Sequence, residues 1–303
     1  MGTSHELVLL QELIAVLDLR PNDTVVDATL GGGGHASALA GLLGEKGTFI
    51  GIDLDHASVE HAKEVLMDVK PSVHLVEDSF RNLDDILARL SIKEINAMVV
   101  DLGLSSDQLE QTDGSVGRGF SFKRDEPLVM TFKSKPAKED TTAHDIVNKW
   151  DEEHLADILL GFGEERFAKS IARHIVGTRD VQSIETTTQL VKVIEEAVPS
   201  WYRFRKLHPA TRTFQALRMA VNDEVGALEE VLKKGMFALA PEGRFGVISF
   251  HSVEDRIVKH YFREQVEAVI GTLVHKKPIT PTKEEINRNQ RARSAKLRTF
   301  RKN

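Results

Sequence analysis

Four consecutive glycines directly after an apolar strand constrain this chain more than any other feature of its sequence. The stretch VVDATLGGGGHASALAGLL, residues 25–43, ends its apolar run at Asp27, passes through the glycines and continues as a predicted helix. A glycine loop between a strand and a helix lets the backbone approach a ligand that binds at the helix N-terminus. The pattern therefore predicts the first strand–loop–helix unit of an α/β nucleotide-binding fold.

The alternation of strand and helix continues through the first hundred residues. Apolar strands are predicted at TVVDATL, GTFIGIDLD, VHLVEDSF and INAMVVDLG, with helical segments between them. Four successive strand–helix units favour a parallel, doubly wound sheet with right-handed crossovers. We therefore predict an α/β core.

The alternation stops after the fourth strand. A glycine- and phenylalanine-rich loop, DGSVGRGFSFKRDEP, is followed by helical patterns, one with capping-box spacing at Thr142 and Asp145. A long helix is predicted at HPATRTFQALRMAVNDEVGALEEVLKKG, and a strand at GRFGVISFH returns to the core. The predicted domains are a core of residues 1–106 and 208–303 and an inserted, mostly helical substrate-recognition domain of residues 107–207.

Charge is unevenly distributed along the chain. The net charge is −6, yet residues 201–218 carry five lysines or arginines and no acid, and residues 288–303 carry seven and no acid. Two basic patches on an acidic body indicate a polyanionic partner such as nucleic acid. Two solvated faces would produce the same composition, so charge alone leaves both interpretations open.

Cysteine is absent from the chain, which excludes disulfides, thiolate metal sites and thiol nucleophiles. The N-terminus lacks the apolar core of a signal peptide, and no apolar run approaches the length of a membrane span. We therefore expect a cytoplasmic protein without a membrane partner.

Polar side chains stand at the predicted carboxyl ends of all four strands, where parallel sheets bind ligands. They are Asp27, Asp53, Asp78 with Phe80, and Asp101. A pyrophosphate or a carboxylate would suit the glycine loop, but Asp27 would repel pyrophosphate and attract an ammonium or sulfonium group. The pattern favours S-adenosylmethionine over a dinucleotide. Helix caps and core packing remain the alternatives for each residue taken singly.

Longer motifs along the chain resemble those of a known family. They are HELVLLQE, DATLGGGGH, IDLD, DLGLSSDQL, GRGFSF, GEERFAKSIAR, HPATRTFQALRMAVNDE, ISFHSVEDRIVK and RARSAKLR. In this order they resemble the bacterial 16S rRNA (cytosine-N4)-methyltransferase family, of the RsmH or MraW type. The resemblance implies a Rossmann-like class I methyltransferase with an inserted α-helical domain. It also implies S-adenosylmethionine as methyl donor and a cytosine amine of the ribosomal decoding centre as acceptor.

The resemblance implies a set of cofactor contacts, most of which also follow from the strand-end argument. They are Gly33, Gly34, His35, Asp53, Phe80, Asp101 and Gln108. Cytosine N4 is a poor nucleophile because its lone pair is delocalised, so the enzyme must aim the amine and accept from its N–H groups. We expect Asp101 to accept from the amine or the cofactor, and Ser105 and Ser106 to shape the target pocket. A turn-capping role for Asp101 is the alternative.

Basic and aromatic residues in four segments are predicted to contact RNA, because phosphates attract cations and splayed bases stack on rings. They are Arg118, Phe120, Phe122, Arg203, Arg205, His251, Arg291 and Arg293. For the two phenylalanines, packing in the core is an equal alternative. The expected partner is 16S rRNA in the small ribosomal subunit. No metal is expected, and the oligomeric state is open, a homodimer included.

One segment departs from the family pattern. Family members usually continue GFSF with D-G-P-L-D-M-R-M, whereas this chain has DEPLVMTF. The replacements are Glu126 for glycine, Val129 for aspartate, Thr131 for arginine and Phe132 for methionine; in addition, Leu7 and Gln290 stand where proline is common. Loss of a carboxylate and a guanidinium near the substrate supports an alternative function. This alternative is an RNA-binding ribosome-assembly factor that holds the cofactor with weak or no transfer.

Overall fold

The computed structural model describes residues 7–104, 117–134 and 136–303. The chain divides into two compact units, one of residues 1–106 with 225–303 and one of residues 107–224. Helices α1–α4 are Leu10–Leu17, Gly34–Gly41, His56–Val65 and Leu83–Arg89. Helices α5–α10 are Ala143–Lys149, Glu152–Gly161, Ala168–Arg179, Thr187–Ala197, Ser200–Arg203 and Ala210–Val221. Helices α11–α13 are Glu224–Ala238, Ser252–Glu267 and Lys283–Arg288.

A seven-stranded sheet organises the first unit. Its strands β1–β7 are Thr24–Asp27, Thr48–Asp53, Ser72–Glu77, Ile95–Asp101, Leu239–Ser249, Gly271–Leu273 and Lys296–Lys302. The strand order is β3-β2-β1-β4-β5-β7-β6, and β7 runs antiparallel to both of its neighbours. The remaining pairs are parallel. The α/β, Rossmann-like fold is therefore confirmed, with an antiparallel strand that the sequence patterns did not predict.

Successive residues of the central strands belong to two separate hydrophobic clusters. In β1, Val25 belongs to one cluster and Val26 to the other, and in β2 the same holds for Phe49 and Ile50. Side chains of a strand alternate between the two faces of its sheet. Both faces are therefore buried, as is usual for a parallel sheet covered by helices on each side.

The second unit is mainly helical, and two of its helices begin at capping boxes. The capping box predicted at Thr142 and Asp145 is present at the start of α5, and a second one at Thr186 and Gln189 starts α8. Each box satisfies two backbone groups that an uncapped helix would leave without partners. Helix α7 buries Ile171 and Ile175, two of the three residues predicted to share a face.

The prediction of one long helix over residues 208–235 is wrong. The chain forms two helices, α10 and α11, which are separated at Asp223, where φ is 44°. A left-handed residue cannot continue a right-handed helix, so the break is a local property of the backbone. Helix α10 contacts α5, α6 and α8. The compact helical unit accordingly extends to residue 224, whereas the domain predicted from the sequence ended at residue 207.

None of the helices in the described ranges combines the length and hydropathy of a membrane-spanning segment.

Candidate functional site

The strand order of the sheet reverses between β1 and β4, which marks the place where open α/β sheets bind ligands. Asp27, Asp53 and Asp101 are the last residues of β1, β2 and β4, three adjacent strands. Parallel strands bring their carboxyl ends to the same edge, so three carboxylates lie at this edge of the sheet. This grouping is the one predicted from the positions of the acids in the sequence.

The glycine loop is held by the carboxylate at the end of β2. Asp53 accepts hydrogen bonds from the backbone N–H of Gly31 and of Asp55, both at 2.8 Å. Gly31 and Gly33 have φ values of 49° and 73°, in the left-handed region that favours glycine. Burial raises the pKa of Asp53 above its usual range. Asp53 therefore fixes the conformation of the loop that leads into α2.

Thr29 links the two other carboxylates. Its N–H donates to Asp27 Oδ1 at 3.1 Å, and its Oγ1 accepts from the backbone N–H of Asp101 at 2.7 Å. Asp27 Oδ2 and Asp101 Oδ1 are buried, and neither has a hydrogen-bond partner within the described ranges. Burial is the main reason that the pKa of each carboxyl is raised to about 7. Two buried acceptors of this kind favour a ligand with positive charge or with N–H groups.

His35 lies between the N-terminal segment and Asp101. Its Nε2 is 3.1 Å from the carbonyl oxygen of Val8, and its Nδ1 is 3.4 Å from Asp101 Oδ2. Burial lowers the pKa of His35. Because a carbonyl only accepts, Nε2 carries the hydrogen in this pair. A neutral His35 therefore presents the lone pair of Nδ1 towards Asp101.

The N-terminal segment covers the glycine loop. Leu7 packs against Gly34, the first residue of α2, so closely that a Cβ at this position would displace the leucine side chain. The backbone N–H of Leu9 donates to Glu285 Oε1 at 2.8 Å. Glu285 is a buried residue of α13, 276 positions away in the sequence. These contacts were missed by sequence reasoning, because no local pattern marks a tether between the two ends of a chain.

Phe80 begins a 3-10 turn after β3 and packs partly buried against the core cluster. Asp78, predicted with Phe80 at the end of this strand, has its carboxylate occupied by Asn82 and Arg89, each at 2.8 Å. Asp78 is thus engaged in local side-chain hydrogen bonds, and Phe80 lies at the strand end. Ser105, Ser106 and Gln108 lie outside the described residues.

His251 follows β5 and caps α12. Its Nδ1 accepts from the backbone N–H of Glu254 at 3.4 Å, and its Nε2 lies 3.0 Å from Glu254 Oε1. Glu254 Oε2 accepts in turn from the backbone N–H of Phe250 at 2.8 Å. Burial is the larger cause of the raised pKa of Asp101, and like-charge repulsion from Glu254 is the second cause. His251 is thus held beside the buried carboxylate of Glu254.

The C-terminal arginines predicted to contact RNA lie on a 3-10 turn, Gln290–Ser294, that connects α13 to β7. Arg291 and Arg293 are both exposed there. Strand β7, which follows this turn, lies inside the sheet between β5 and β6.

In the helical unit, the rings of the predicted RNA contacts in GRGFSF pack against other rings. Phe120 is only 8% exposed and stacks on Phe132, with centroids 5.9 Å apart. Phe122 stacks on His208 at 4.6 Å. Arg118 donates to the carbonyl oxygen of Phe132 at 2.8 Å and lies over the Phe120 ring. These contacts give the loop a defined shape. In the same unit, Arg203 and Arg205 are exposed.

The residues that depart from the family pattern have defined partners in this unit. Glu126 is buried and accepts from the N–H of Gly119 at 2.9 Å, and a Cβ at Gly117 would collide with its side chain. The backbone N–H of Glu126 donates to Thr187 Oγ1 at 3.0 Å. Thr131 is also buried. Glu126 and Thr131 therefore pack within the helical unit.

The glycine loop, the carboxylate that fixes it and the two buried carboxylates beside it define a class of protein. A helix N-terminus preceded by glycines suits a carboxylate, Asp53 suits a hydroxylated sugar, and Asp27 and Asp101 suit cationic or N–H groups. A pyrophosphate does not fit, because two buried carboxylates would repel it. The fold and site thus define an α/β enzyme that binds a nucleoside cofactor carrying positive charge.

Comparison with known proteins gives the family. The model of the MraW methylase family matches residues 2–303. A protein of Brevibacillus brevis, named Ribosomal RNA small subunit methyltransferase H, is 41% identical, with 98% of each chain covered. A protein of Streptococcus equi with the same name is also 41% identical, covering 98% of this chain and 97% of its own. The chain therefore belongs to the MraW methylase family.

One solved structure of an rRNA methylase resembles this chain only weakly. The crystal structure of an rRNA methylase from Streptococcus thermophilus covers 99% of both chains with a TM-score of 0.45 and 13% identity. At this level of similarity it supports no inference about function.

Proposed function

We propose that this protein transfers a methyl group from S-adenosylmethionine to N4 of a cytosine in the decoding centre of 16S rRNA. The observation that carries the proposal is the pair of buried carboxylates, Asp27 and Asp101, beside a glycine loop at the switch point of the sheet. Membership of the MraW methylase family and relatives named for small-subunit rRNA methylation support the substrate class. The cytosine and its position rest on the resemblance of the motifs.

S-adenosylmethionine, when bound, supplies an electrophilic methyl group on a sulfonium. In this proposal Gly33, Gly34 and His35 meet its carboxylate at the start of α2, and Asp53 holds its ribose hydroxyls. The buried Asp27 offers an unpaired oxygen to the cationic part of the cofactor. Phe80 supplies the apolar surface beside the adenine. In this proposal Gln108 completes the cofactor contacts.

Asp101 is the residue proposed to act on the target amine. Its Oδ1 is buried without a partner in the described part of the chain, so it is free to accept an N–H hydrogen of the cytosine. This contact aims the nitrogen lone pair at the methyl group and favours a more pyramidal nitrogen. After transfer, the methylated nitrogen must lose a proton. A carboxyl with its pKa raised to about 7 is suited to take it. Ser105 and Ser106 are proposed to line the pocket.

The target base must leave its stack to reach the cofactor, so the protein must also hold the surrounding RNA. We assign the phosphates to exposed cations, with His251 at the rim of the strand ends. The cations are Arg203 and Arg205 in the helical unit and Arg291 and Arg293 in the unit that contains the sheet. Arg118, Phe120 and Phe122 are proposed to shape the loop next to the RNA, because their side chains are engaged within that loop.

A second candidate is an RNA-binding assembly factor that holds the cofactor but transfers poorly. The observation in its favour is that Val129 and Thr131 replace an aspartate and an arginine of the family pattern. The two functions share the cofactor site and differ only in turnover, so cofactor binding alone does not separate them.

Transfer of tritium from labelled S-adenosylmethionine to small ribosomal subunits that lack the modification tests the proposal. The native protein should label the RNA, and Asp101→Asn should reduce the rate about a hundredfold or more, the usual cost of removing a positioned acceptor or acid–base group. Full turnover and unchanged cofactor affinity in Asp101→Asn would contradict the role of Asp101. Binding of the cofactor without any labelling by the native protein would favour the second candidate.

A further inference from the structure

Residues 201–207 of the helical unit, named here the α9 surface, expose three large apolar side chains. Trp201 is 51% exposed, Phe204 is 87% exposed and Leu207 is 45% exposed. Isolated apolar residues on a surface are common, but aromatic rings grouped within seven residues are typical of a binding site. Phe204 makes no ring contact in the part of the chain that the structure describes, so both faces of its ring are accessible.

Cations surround these rings. Arg203, Arg205 and Lys206 are exposed, and residues 201–218 contain no acid. None of the three pairs with a carboxylate among the described residues: Arg203 approaches the carbonyl oxygen of Val198 at 3.3 Å, and Arg205 lies over the Tyr202 ring. A partner for this surface must therefore supply the negative charge as well as flat apolar groups.

The neighbouring rings hold the α9 surface in place. Tyr202 is buried and donates from its hydroxyl to Glu165 Oε2 at 2.7 Å. The other carboxylate oxygen of Glu165 accepts from the backbone N–H of Phe167 at 2.8 Å. The Phe167 ring meets Tyr202 edge-on at 4.9 Å and Trp201 at 5.9 Å. The fully buried Glu165 thus fixes Tyr202, and Trp201 is exposed next to Tyr202.

Arg166 adds a fourth cation beside the rings. Its guanidinium lies 5.1 Å from the centroid of the Trp201 ring and 5.2 Å from that of Phe167. Contacts of this kind orient an arginine and a ring together before a ligand arrives. These side chains therefore lose little conformational entropy when a stacked, negatively charged ligand binds.

We propose that the α9 surface binds single-stranded RNA, with unpaired bases stacked on Trp201 and Phe204 and flanking phosphates held by Arg203, Arg205 and Lys206. Stacking on aromatic rings within a basic surface is how proteins bind unpaired strands with little sequence preference. The inference rests on the proposed function, since it concerns how rRNA outside the target cytosine is recognised. An apolar protein partner is disfavoured, because it would leave the unpaired cations without counter-charges.

The test is the affinity of the full-length protein for a fluorescently labelled, unstructured RNA and for a duplex RNA of equal length. Phe204→Ala is the cleanest variant, because this ring makes no ring contact in the described structure. It should weaken binding of the single strand about fivefold or more, and Trp201→Ala should do the same. The slope of affinity against salt should stay unchanged in both variants, whereas Arg205→Gln should reduce it by about one unit.

Phe237→Ala is the matched control, because Phe237 is 89% exposed and lies in the other unit. It should leave RNA affinity unchanged. Equal loss of single-strand and duplex binding, or no loss in either aromatic variant, would overturn the proposal. Thermal unfolding of each variant excludes misfolding as the cause. If the aromatic variants lose single-strand binding while the native protein yields no methylated RNA, the proposed function is refuted and this inference stands.

Discussion

His35 Nδ1 and Asp101 Oδ2 lie 3.4 Å apart, and the opposite side of the imidazole faces the carbonyl oxygen of Val8. Nε2 of His35 therefore carries a hydrogen. A hydrogen bond between Nδ1 and Asp101 Oδ2 requires one further proton, on either of these two atoms. Burial lowers the pKa of His35 and raises that of Asp101 to about 7. In the free protein, burial therefore favours the uncharged form of each group, an imidazole with its hydrogen on Nε2 and a protonated carboxyl at Asp101.

Binding of S-adenosylmethionine should release protons. The cofactor carries positive charge, which stabilises ionised Asp101 and Asp27 and lowers their pKa values from about 7. Affinity should consequently rise as pH increases from about 5 to about 8 and level off above that range. Calorimetry at pH 6.5 in two buffers of different ionisation enthalpy measures the number of protons released. Asp101→Asn should release fewer protons than the native protein, and equal release in both would refute this assignment.

The stability of the ligand-free protein should fall with rising pH through the range set by Asp27. Its pKa is raised from 3.8 to about 7 in the folded state, so the folded protein binds this proton more tightly than the unfolded chain. The free energy of unfolding therefore decreases between about pH 4 and pH 7, by up to about 1.4 kcal/mol per pH unit for this group. Asp27→Asn removes that dependence.

Urea unfolding of the native protein and of Asp27→Asn at pH 5, 6, 7 and 8 checks this expectation. The variant should gain stability relative to the native protein as pH rises and should show its largest advantage at pH 8. A difference between the two proteins that does not change with pH would show that Asp27 ionises normally.

Glu285→Ala should loosen the N-terminal segment. It leaves the buried N–H of Leu9 without its acceptor, which costs about 1–3 kcal/mol of stability. Since Val8 then positions His35 less firmly, affinity for S-adenosylmethionine should also fall. Glu284→Ala is the matched control, an exposed acid on the same helix. Similar unfolding free energies and cofactor affinities for the two variants would argue against the tether.

Glu126→Gly restores the residue that the family pattern usually has, yet it should destabilise this protein. The buried carboxylate accepts from Gly119 and fills space beside Gly117, so its removal leaves an unpaired N–H and a cavity. We expect a loss of about 2–4 kcal/mol of stability, from the sum of these two effects. Lys123→Gly, at an exposed nearby position, controls for the flexibility of glycine. An unchanged unfolding temperature in Glu126→Gly would contradict the account.

The parts of the fold predicted from the sequence are those with local periodicity. The four strand–helix units and the capping box at Thr142 have patterns confined to about ten residues, and the structure contains them. The break at Asp223 depends on one φ angle, and the insertion of β7 beside β5 depends on pairing between distant segments. Neither leaves a periodic signal in the sequence.

The candidate site follows the same division. Asp27, Asp53 and Asp101 could be grouped from the sequence, because the ends of parallel strands must meet. The contact of His35 with Val8 and the contact of Leu9 with Glu285 could not, since they join segments that are far apart in the chain. The ring partners of Phe120 and Phe122 likewise could not be predicted from composition or spacing.

The central claim is tested most directly by identifying the product. Small ribosomal subunits from a strain without the endogenous enzyme would be incubated with the protein and S-adenosylmethionine, and the RNA nucleosides analysed by mass spectrometry. The account predicts N4-methylcytidine at a single decoding-centre position, formed far more slowly when Asp101→Asn replaces the native protein. Cofactor binding by calorimetry without N4-methylcytidine, or methylation of another base, would contradict it.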